Sequence, residues 1–457
     1  MEMEKGAQRP RSYVILVPYP FQGHMTPMLQ LGHILHSRGF SIVVAHTEFQ
    51  APRPSDHPKF AFHSLADGMD GKKNELTKKL DTMKAMNENC RVPFQDFLVK
   101  QVEEKGDQLV CIIYDNLMLF VDPVASHLHL PTIVLRPFNA VYLQILLHSL
   151  ENADTIFPLK ESMLQDPIPE FHPLRYRDMP INIVDPDARE AVKQFLLTSN
   201  DIRSSEAIIW NTVEDLEHPW LSKLQQRYKV PIFPIGPMHK IASTRKTSLI
   251  EEDESCFPWL DKQAPRSVLY VSTTGSIAET NERDFAEIAW GLAGSGRPFL
   301  WVVRPGSVQG SDWKERLPQG FEARVGDRGR IVKWAAQKEV LAHGSVGGFW
   351  SHCGWNSTLE SLGEGVPMIC RPHFADQLVN ARFLVQEWKV GVGLEELERG
   401  AIAETVRKVM VGEESEELRK RAMEMKRKLE ASLQKDGPSH RALDKLVHFI
   451  SSLPVLK

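Results

Sequence analysis

Two groups of residues in this chain have the types and spacing to do chemistry. The first is a pair. His24 follows the apolar run Tyr13–Pro18 within PFQGH, and Asp115 closes a second apolar run, CIIYD. If both runs are strands of one parallel sheet, both residues lie at its carboxyl edge, where such sheets bind ligands. An imidazole with an ordinary pKa of about 6.5 is suited to take a proton near neutrality. A carboxylate behind it would fix the tautomer and stabilise the imidazolium, the logic of a hydrolase triad without its serine. A lone histidine in a loop also has a plainer reading, as a polar surface residue.

The second group is denser. The run VGGFW leads into SHCGWNST and then into a helix read as beginning at LESLGEG. A strand-to-helix turn rich in glycine and small polar residues is what a phosphate site needs, with close backbone approach and free helix N-terminal N–H groups. His352, Asn356 and Ser357 could each donate to a diphosphate. Trp334 offers a stacking face, Glu360 an acceptor for ribose hydroxyls, and Asp376 with Gln377 a pair able to fix adjacent sugar hydroxyls. Taken singly, each has a plainer explanation: Trp334 as core, Glu360 on a solvated helix face, Asn356 as a helix cap.

The elements that must position these groups are short apolar strands alternating with helices. Tyr13–Pro18, a helix carrying Met28, Leu29, Leu31, Ile34 and Leu35 and stopped by Gly39, and Ser41–Ala45 form a βαβ unit. Leu109–Tyr114, Thr132–Leu135 and Ala207–Trp210 continue the pattern. After FPIGPM it breaks, and the polar stretch Lys240–Ser255 reads as an exposed linker. It resumes with Ser267–Ser272, a helix over Asn281–Leu292, then Phe299–Val303, Arg330–Lys333, Val346–Trp350 and Pro367–Cys370. The expectation is α/β: a first Rossmann-like domain over 1–238, a linker over 239–262, a second such domain over 263–440, and a terminal helix over 441–457 packing back on the first. The charged stretch Glu414–Leu453 reads as helical, interrupted at Gly437 and Pro438.

Composition narrows the class. The chain has 457 residues, 42% hydrophobic and 25% charged, with a net charge of −4, which argues against a nucleic-acid binder relying on a broad basic face. Five scattered cysteines make neither a CxxC pair nor a zinc spacing, as in a reduced cytosolic protein. No apolar run reaches the roughly 20 residues of a membrane span, and MEMEKGAQRPR does not read as a secretory signal. A cytoplasmic monomer is expected.

The stretch from Trp334 to Gln377 resembles, in register over HCGWNSTLES, EGVPM and DQ, the signature of the plant family 1 UDP-dependent glycosyltransferases. The likeness extends to FQGH and WVVRPG, and is greatest to the subgroup acting on cytokinins, benzoxazinoids and diterpenoid glycosides. It implies the GT-B fold, two facing Rossmann-like domains. It implies that Trp334 stacks on uracil and the Ala335 backbone pairs the base edge, and that Gln337 and Glu360 hold the ribose. His352, Asn356, Ser357 and Ser276 would bind phosphates, and Trp355, Asp376 and Gln377 the sugar, a terminal Gln accompanying glucose donors. The implied reaction is inverting transfer of glucose from UDP-glucose to a hydroxyl of a small plant metabolite, with His24 as base, Asp115 behind it, and neither cofactor nor metal. The same reaction on a nitrogen acceptor is the alternative. A non-catalytic UDP-sugar-binding module would not need His24 and Asp115, and a nicotinamide enzyme would need a glycine fingerprint that PYPFQGH lacks.

The chain departs from the family pattern in two places. The usual SFGS is replaced by Ser272-Thr273-Thr274-Gly275-Ser276, which bears on the phosphate contact of Ser276. A usual Thr-Ser-Ser is replaced by Arg136-Pro137-Phe138-Asn139, so either Asn139 stands in for the sugar contact of the missing hydroxyls or that contact is lost, and Phe138 is expected to narrow the acceptor pocket. Phe21, Met118 and Phe138 are the candidates for its wall. Asp185-Pro186-Asp187 spells DxD, but the proline favours a turn over a metal site.

Overall fold

Runs of β-branched and aromatic residues buried on both faces form the strands, and the helices between them enforce parallel pairing. The protein's structure, a computed structural model, describes residues 12–69, 79–181, 186–202, 204–243, 246–309 and 313–454. Two all-parallel sheets result. The first holds β1 (Tyr13–Val17), β2 (Ser41–Thr47), β3 (Phe60–Leu65), β4 (Leu109–Asp115), β5 (Thr132–Arg136), β6 (Ala207–Trp210) and β7 (Ile232–Pro234), in the order β3-β2-β1-β4-β5-β6-β7. The second holds β8 (Val268–Ser272), β9 (Phe299–Val302), β10 (Gly329–Val332), β11 (Val346–Ser351), β12 (Met368–Cys370) and β13 (Gly391–Gly393), in the order β10-β9-β8-β11-β12-β13. Alternate residues feed opposite layers: Ile15 and Val17 enter one core cluster, Val14 and Leu16 the other. This is the GT-B arrangement of two Rossmann-like domains.

Strand order reverses between β1 and β4 in the first sheet and between β8 and β11 in the second. These are the switch points where a crevice opens beyond the carboxyl ends. Val17 pairs with Tyr114, and Ser351 with Ser272, so the segments after β1 and β4 lie side by side, as do those after β8 and β11.

Sequence patterning missed β3, β7 and β13. All three are edge strands, and β7 and β13 are only three residues long and contain proline or glycine. Two helix starts also differ from expectation. The helix after β1 spans Gln22–Ser37, so His24 sits in its first turn and not in a loop. The helix after β11 spans Trp355–Glu364, so Asn356 and Ser357 occupy its first turn, four residues before the expected start is reached.

The stretch after β7 is more than an exposed linker. Thr247 is buried, Thr26 donates to its carbonyl at 3.1 Å, and Leu249 N–H donates to Gln22 Oε1 at 2.7 Å. The charged C-terminal region forms helices Glu413–Leu433 and Pro438–Ser452, parted by Gly437, where any Cβ would meet the Ser432 carbonyl at 2.3 Å. The second helix buries Leu443, Leu446 and Ile450 in the cluster containing Val14 and Leu16 of the first sheet.

Candidate active site

One cavity of about 420 Å³ lies between the carboxyl edges of the two sheets. On the first-sheet side it is lined by Phe21, His24, Asn116 and Phe138, and on the second by Trp334, His352, Glu360 and Gln377.

His24 Nδ1 lies 2.7 Å from Asp115 Oδ2, and Asp115 Oδ1 accepts the Leu117 N–H at 3.0 Å. Asp115 is wholly buried and the His24 side chain is 24% exposed. An ionised carboxylate only accepts, so Nδ1 carries the hydrogen and Nε2 keeps its lone pair. Burial alone would lower the His24 pKa, but the Asp115 charge and hydrogen bond, with Asp376 across the cavity, more than offset it and hold it above 6.5. Tyr19 packs edge-on against the imidazole at 5.2 Å.

The phosphate-turn candidates converge opposite. The imidazole of His352 fits only because Gly275 and Gly354 lack side chains: a Cβ on either would lie 2.6 Å from Nε2. Gly275 has φ +53°, a conformation costly for other residues. Burial and neighbouring His373 push the His352 pKa down to about 4, so the ring is neutral. Cys353 and Ala375, both non-glycine residues at positive φ, form the two tight turns entering helices Trp355–Glu364 and Asp376–Arg382.

Gln337 Nε2 donates to Ser357 Oγ at 2.9 Å and to Glu360 Oε2 at 2.7 Å, and burial raises the Glu360 carboxyl to about 7. Asp376, raised to about 6 by burial, accepts from Asn380 Nδ2 at 2.9 Å and from the Trp355 backbone N–H. Gln377 Oε1 accepts the His373 N–H at 2.9 Å, leaving its NH2 as the donor end. The Trp334 indole donates to Ser248 Oγ at 2.9 Å, which fixes the ring. Ser276 and Ala335 also line the cavity.

The readings of Met118 and Asn139 need correction, and Trp355 and Asn356 line the cavity but also bond to the first domain. Met118 is fully buried in the first domain's core; Leu117 lines the cavity in its place. Asn139 is wholly buried and does not line the cavity: it caps helix Ala140–Glu151 by accepting the Tyr142 N–H and donates to Asn380 Oδ1 at 2.5 Å. Trp355 lines the cavity, but its indole N–H is committed to the Asn211 carbonyl at 2.7 Å and its backbone N–H to Asp376, so the ring face is what it offers there. Asn356 Nδ2 donates to the Gly23 carbonyl at 2.8 Å, tying the phosphate turn to the turn that bears His24. Asp185 lies outside the described residues.

Sequence reasoning also missed cavity-lining residues. Thr247 and Ser248 come from the polar stretch read as linker, and Leu196, Ser199 and Asn200 from the helix Pro186–Ser199 and its end. Nothing local marks them. Asn116 was legible in principle, since it follows Asp115 directly.

Comparison with known proteins is consistent along the chain. The profile of the family described as UDP-glucoronosyl and UDP-glucosyl transferase matches residues 35–452. The chain is 55% identical over 442 residues to the UDP-glycosyltransferase 76E1 of Solanum lycopersicum, covering 96% of this chain and 93% of that one. It is 44% identical to the flavonol 3-O-glucosyltransferase UGT76E12 of Arabidopsis thaliana, covering 98% of both. Among solved structures it is similar to Os79 of O. sativa in complex with UDP, with TM-score 0.83, 26% identity, and 96% of this chain and 100% of that chain covered. It is likewise similar to Phytolacca americana UGT2 complexed with UDP-2fluoro-glucose and pterostilbene, with TM-score 0.80, 28% identity and the same coverage.

The tight seat of His352 generates a prediction. Gly275→Ala should cost about 1–2 kcal/mol from the left-handed backbone alone and displace the imidazole. A lowered thermal midpoint together with weakened UDP binding by calorimetry checks both effects.

Proposed function

The chain belongs to the UDP-glucoronosyl and UDP-glucosyl transferase family, as a plant family 1 UDP-dependent glycosyltransferase, and from that premise we propose that its cleft transfers glucose from UDP-glucose to a hydroxyl of a small, largely apolar acceptor with inversion. The observation that carries this reading is the His24–Asp115 contact of 2.7 Å, opening on the same cavity as the glycine-rich turn before helix Trp355–Glu364.

In this reading the acceptor hydroxyl donates to His24 Nε2. As the proton moves to the imidazole, the oxygen forms a bond to the anomeric carbon on the face opposite the nucleotide. The bond from that carbon to the diphosphate oxygen breaks, and UDP leaves with the electron pair. The imidazolium is stabilised by Asp115. An α-linked donor therefore gives a β-glucoside. Charge developing on the leaving diphosphate meets the N-terminus of a ten-residue helix, the Ser357 hydroxyl and the neutral His352 ring. These donors serve the leaving group in this proposal without a metal or cofactor. Trp334 would hold uracil, and Gln337 and Glu360 the ribose. Asp376 and the Gln377 NH2 would hold the glucose hydroxyls. The hydroxyl acceptor is supported by the flavonol 3-O-glucosyltransferase named among the relatives.

Three outcomes test the proposal. His24→Ala should lower transfer by about 10²–10⁴-fold while UDP binding by calorimetry stays unchanged; near wild-type turnover would refute the base assignment and reopen a binding-only role. Asp115→Asn should lower kcat and also move the acid limb of the kcat/KM profile. A base must be deprotonated, so wild-type activity rises with pH through a His24 pKa held above 6.5. Without the carboxylate charge, burial dominates and the limb should shift to lower pH. Finally, Gln377→His should reduce glucose use relative to galactose in donor competition, and an unchanged preference would count against glucose selection by this residue.

A further inference from the structure

The acceptor side of the cavity is apolar over most of its extent, with Phe21, Leu117, Phe138, Leu146 and Leu196 in its wall. Two of its polar side chains are spent within the protein. Asn200 Oδ1 accepts from the Arg136 guanidinium at 2.5 Å, and its NH2 donates to the Leu196 carbonyl at 2.7 Å. The Ser199 hydroxyl donates to the same carbonyl at 3.0 Å. Asn116 differs. It lines the cavity, is 4% exposed, and its Oδ1 is buried without a hydrogen-bond partner.

A buried amide oxygen left unpaired costs about 1–3 kcal/mol. Native proteins leave few such groups, and each calls for a reason. Here the reason is suggested by position. Asn116 directly follows Asp115, whose carboxylate orients the His24 base, and it stands in the wall against which an acceptor must rest. An acceptor held only by apolar contacts could present several orientations to the base. A hydrogen bond at Asn116 would select one of them, and productive orientation carries a large part of the rate.

We propose that Asn116 is the positioning and specificity residue for the acceptor: its Oδ1 accepts a hydrogen bond from a second hydroxyl, separate from the one His24 deprotonates. The inference rests on the transferase reading above and narrows its acceptors to apolar ring systems bearing at least two hydroxyls, one reacting and one anchoring. An acceptor with the anchoring hydroxyl relieves the unpaired oxygen. One without it leaves that oxygen as it stands in the free protein, buried and unpaired.

The test uses the full chain, UDP-glucose and two flavonols, quercetin and 3-hydroxyflavone. They share the ring system and the 3-hydroxyl, and the second lacks the remaining hydroxyls. The readout is the ratio of kcat/KM values for the 3-O-glucoside, separated by chromatography. Wild type should favour quercetin by about tenfold or more. Asn116→Leu, which removes the amide at similar volume, should bring the ratio to about one, mainly through loss on quercetin. Asn116→Asp, which keeps an oxygen acceptor, should retain the preference. Within each variant both flavonols meet the same base, so the ratio cancels any change at His24, and unaltered UDP affinity reports an intact fold. A wild-type ratio near one, an unchanged ratio in Asn116→Leu, or a wild type inert toward both flavonols overturns the proposal. Transfer that survives His24→Ala overturns the reading of the base instead, and the two failures are thereby distinguished.

Discussion

A seam of amides, three of them buried, holds the carboxyl edges of the two sheets against one cavity, and the geometry of the site depends on it. Asn211, just beyond β6, accepts the Met238 N–H on Oδ1 at 3.1 Å, and its carbonyl takes the Trp355 indole N–H. Asn356, beside Trp355, reaches across to the Gly23 carbonyl. On the other flank Asn380 accepts from Asn139 of the first domain and donates to the Cys353 carbonyl at 2.8 Å and to Asp376. Asn139, Asn211 and Asn380 are buried, and a buried amide must find both donor and acceptor partners, so few relative placements of the domains satisfy them all. The seam thereby sets the reach from His24 to the glycine-rich turn, a distance on which the proposed transfer would depend steeply.

The same burial acts on every ionisable group here, and the neighbours decide the outcome. Glu360 and Asp376 lose water and are raised to about 7 and about 6 despite their amide partners. His352 loses water beside another histidine and is lowered to about 4. His24 loses water too, but Asp115 reverses the sign. Two histidines of one cavity are thus tuned apart, a neutral ring beside the glycine-rich turn and a more basic one beside Asp115, in the way that environment separates acid and base roles generally. Asn116 adds a neutral polar group to the acceptor side without disturbing that separation.

Much of the fold was legible because interior strands of parallel sheets are continuous apolar runs. YVILV, LVCIIY and VLYVS could hardly be anything else. Of the four edge strands only β10 was legible; β3, β7 and β13 were not, because an edge carries fewer apolar residues and tolerates the proline of β7 and the glycines of β13. The donor half of the site was legible because its residues are crowded into one strand–turn–helix segment. The acceptor half was not. Its wall is assembled from β1, β4, β5, the helix before β6 and the stretch after β7, and no short window of sequence holds more than two of those pieces. Met118 and Asn139 were misread for that reason: residue type suggested a role, but only the direction of the side chain assigns one, and both point into packed interior.

The linear pattern therefore established the pair of α/β domains, the candidate base with its carboxylate, and the nucleotide-side turn. Each depends on local chemistry: strand periodicity, helix termini and glycine spacing survive in a one-dimensional reading. Folding in three dimensions established that His24 and Asp115, 91 residues apart, meet at a switch point, that the polar stretch after β7 closes over Trp334, and that Asn356 faces a carbonyl of the other domain. It also left Asn116 as an unpaired oxygen in an apolar wall. Those outcomes depend on which strands become neighbours and which polar atoms find partners, and both follow from long-range packing that no local run of residues encodes.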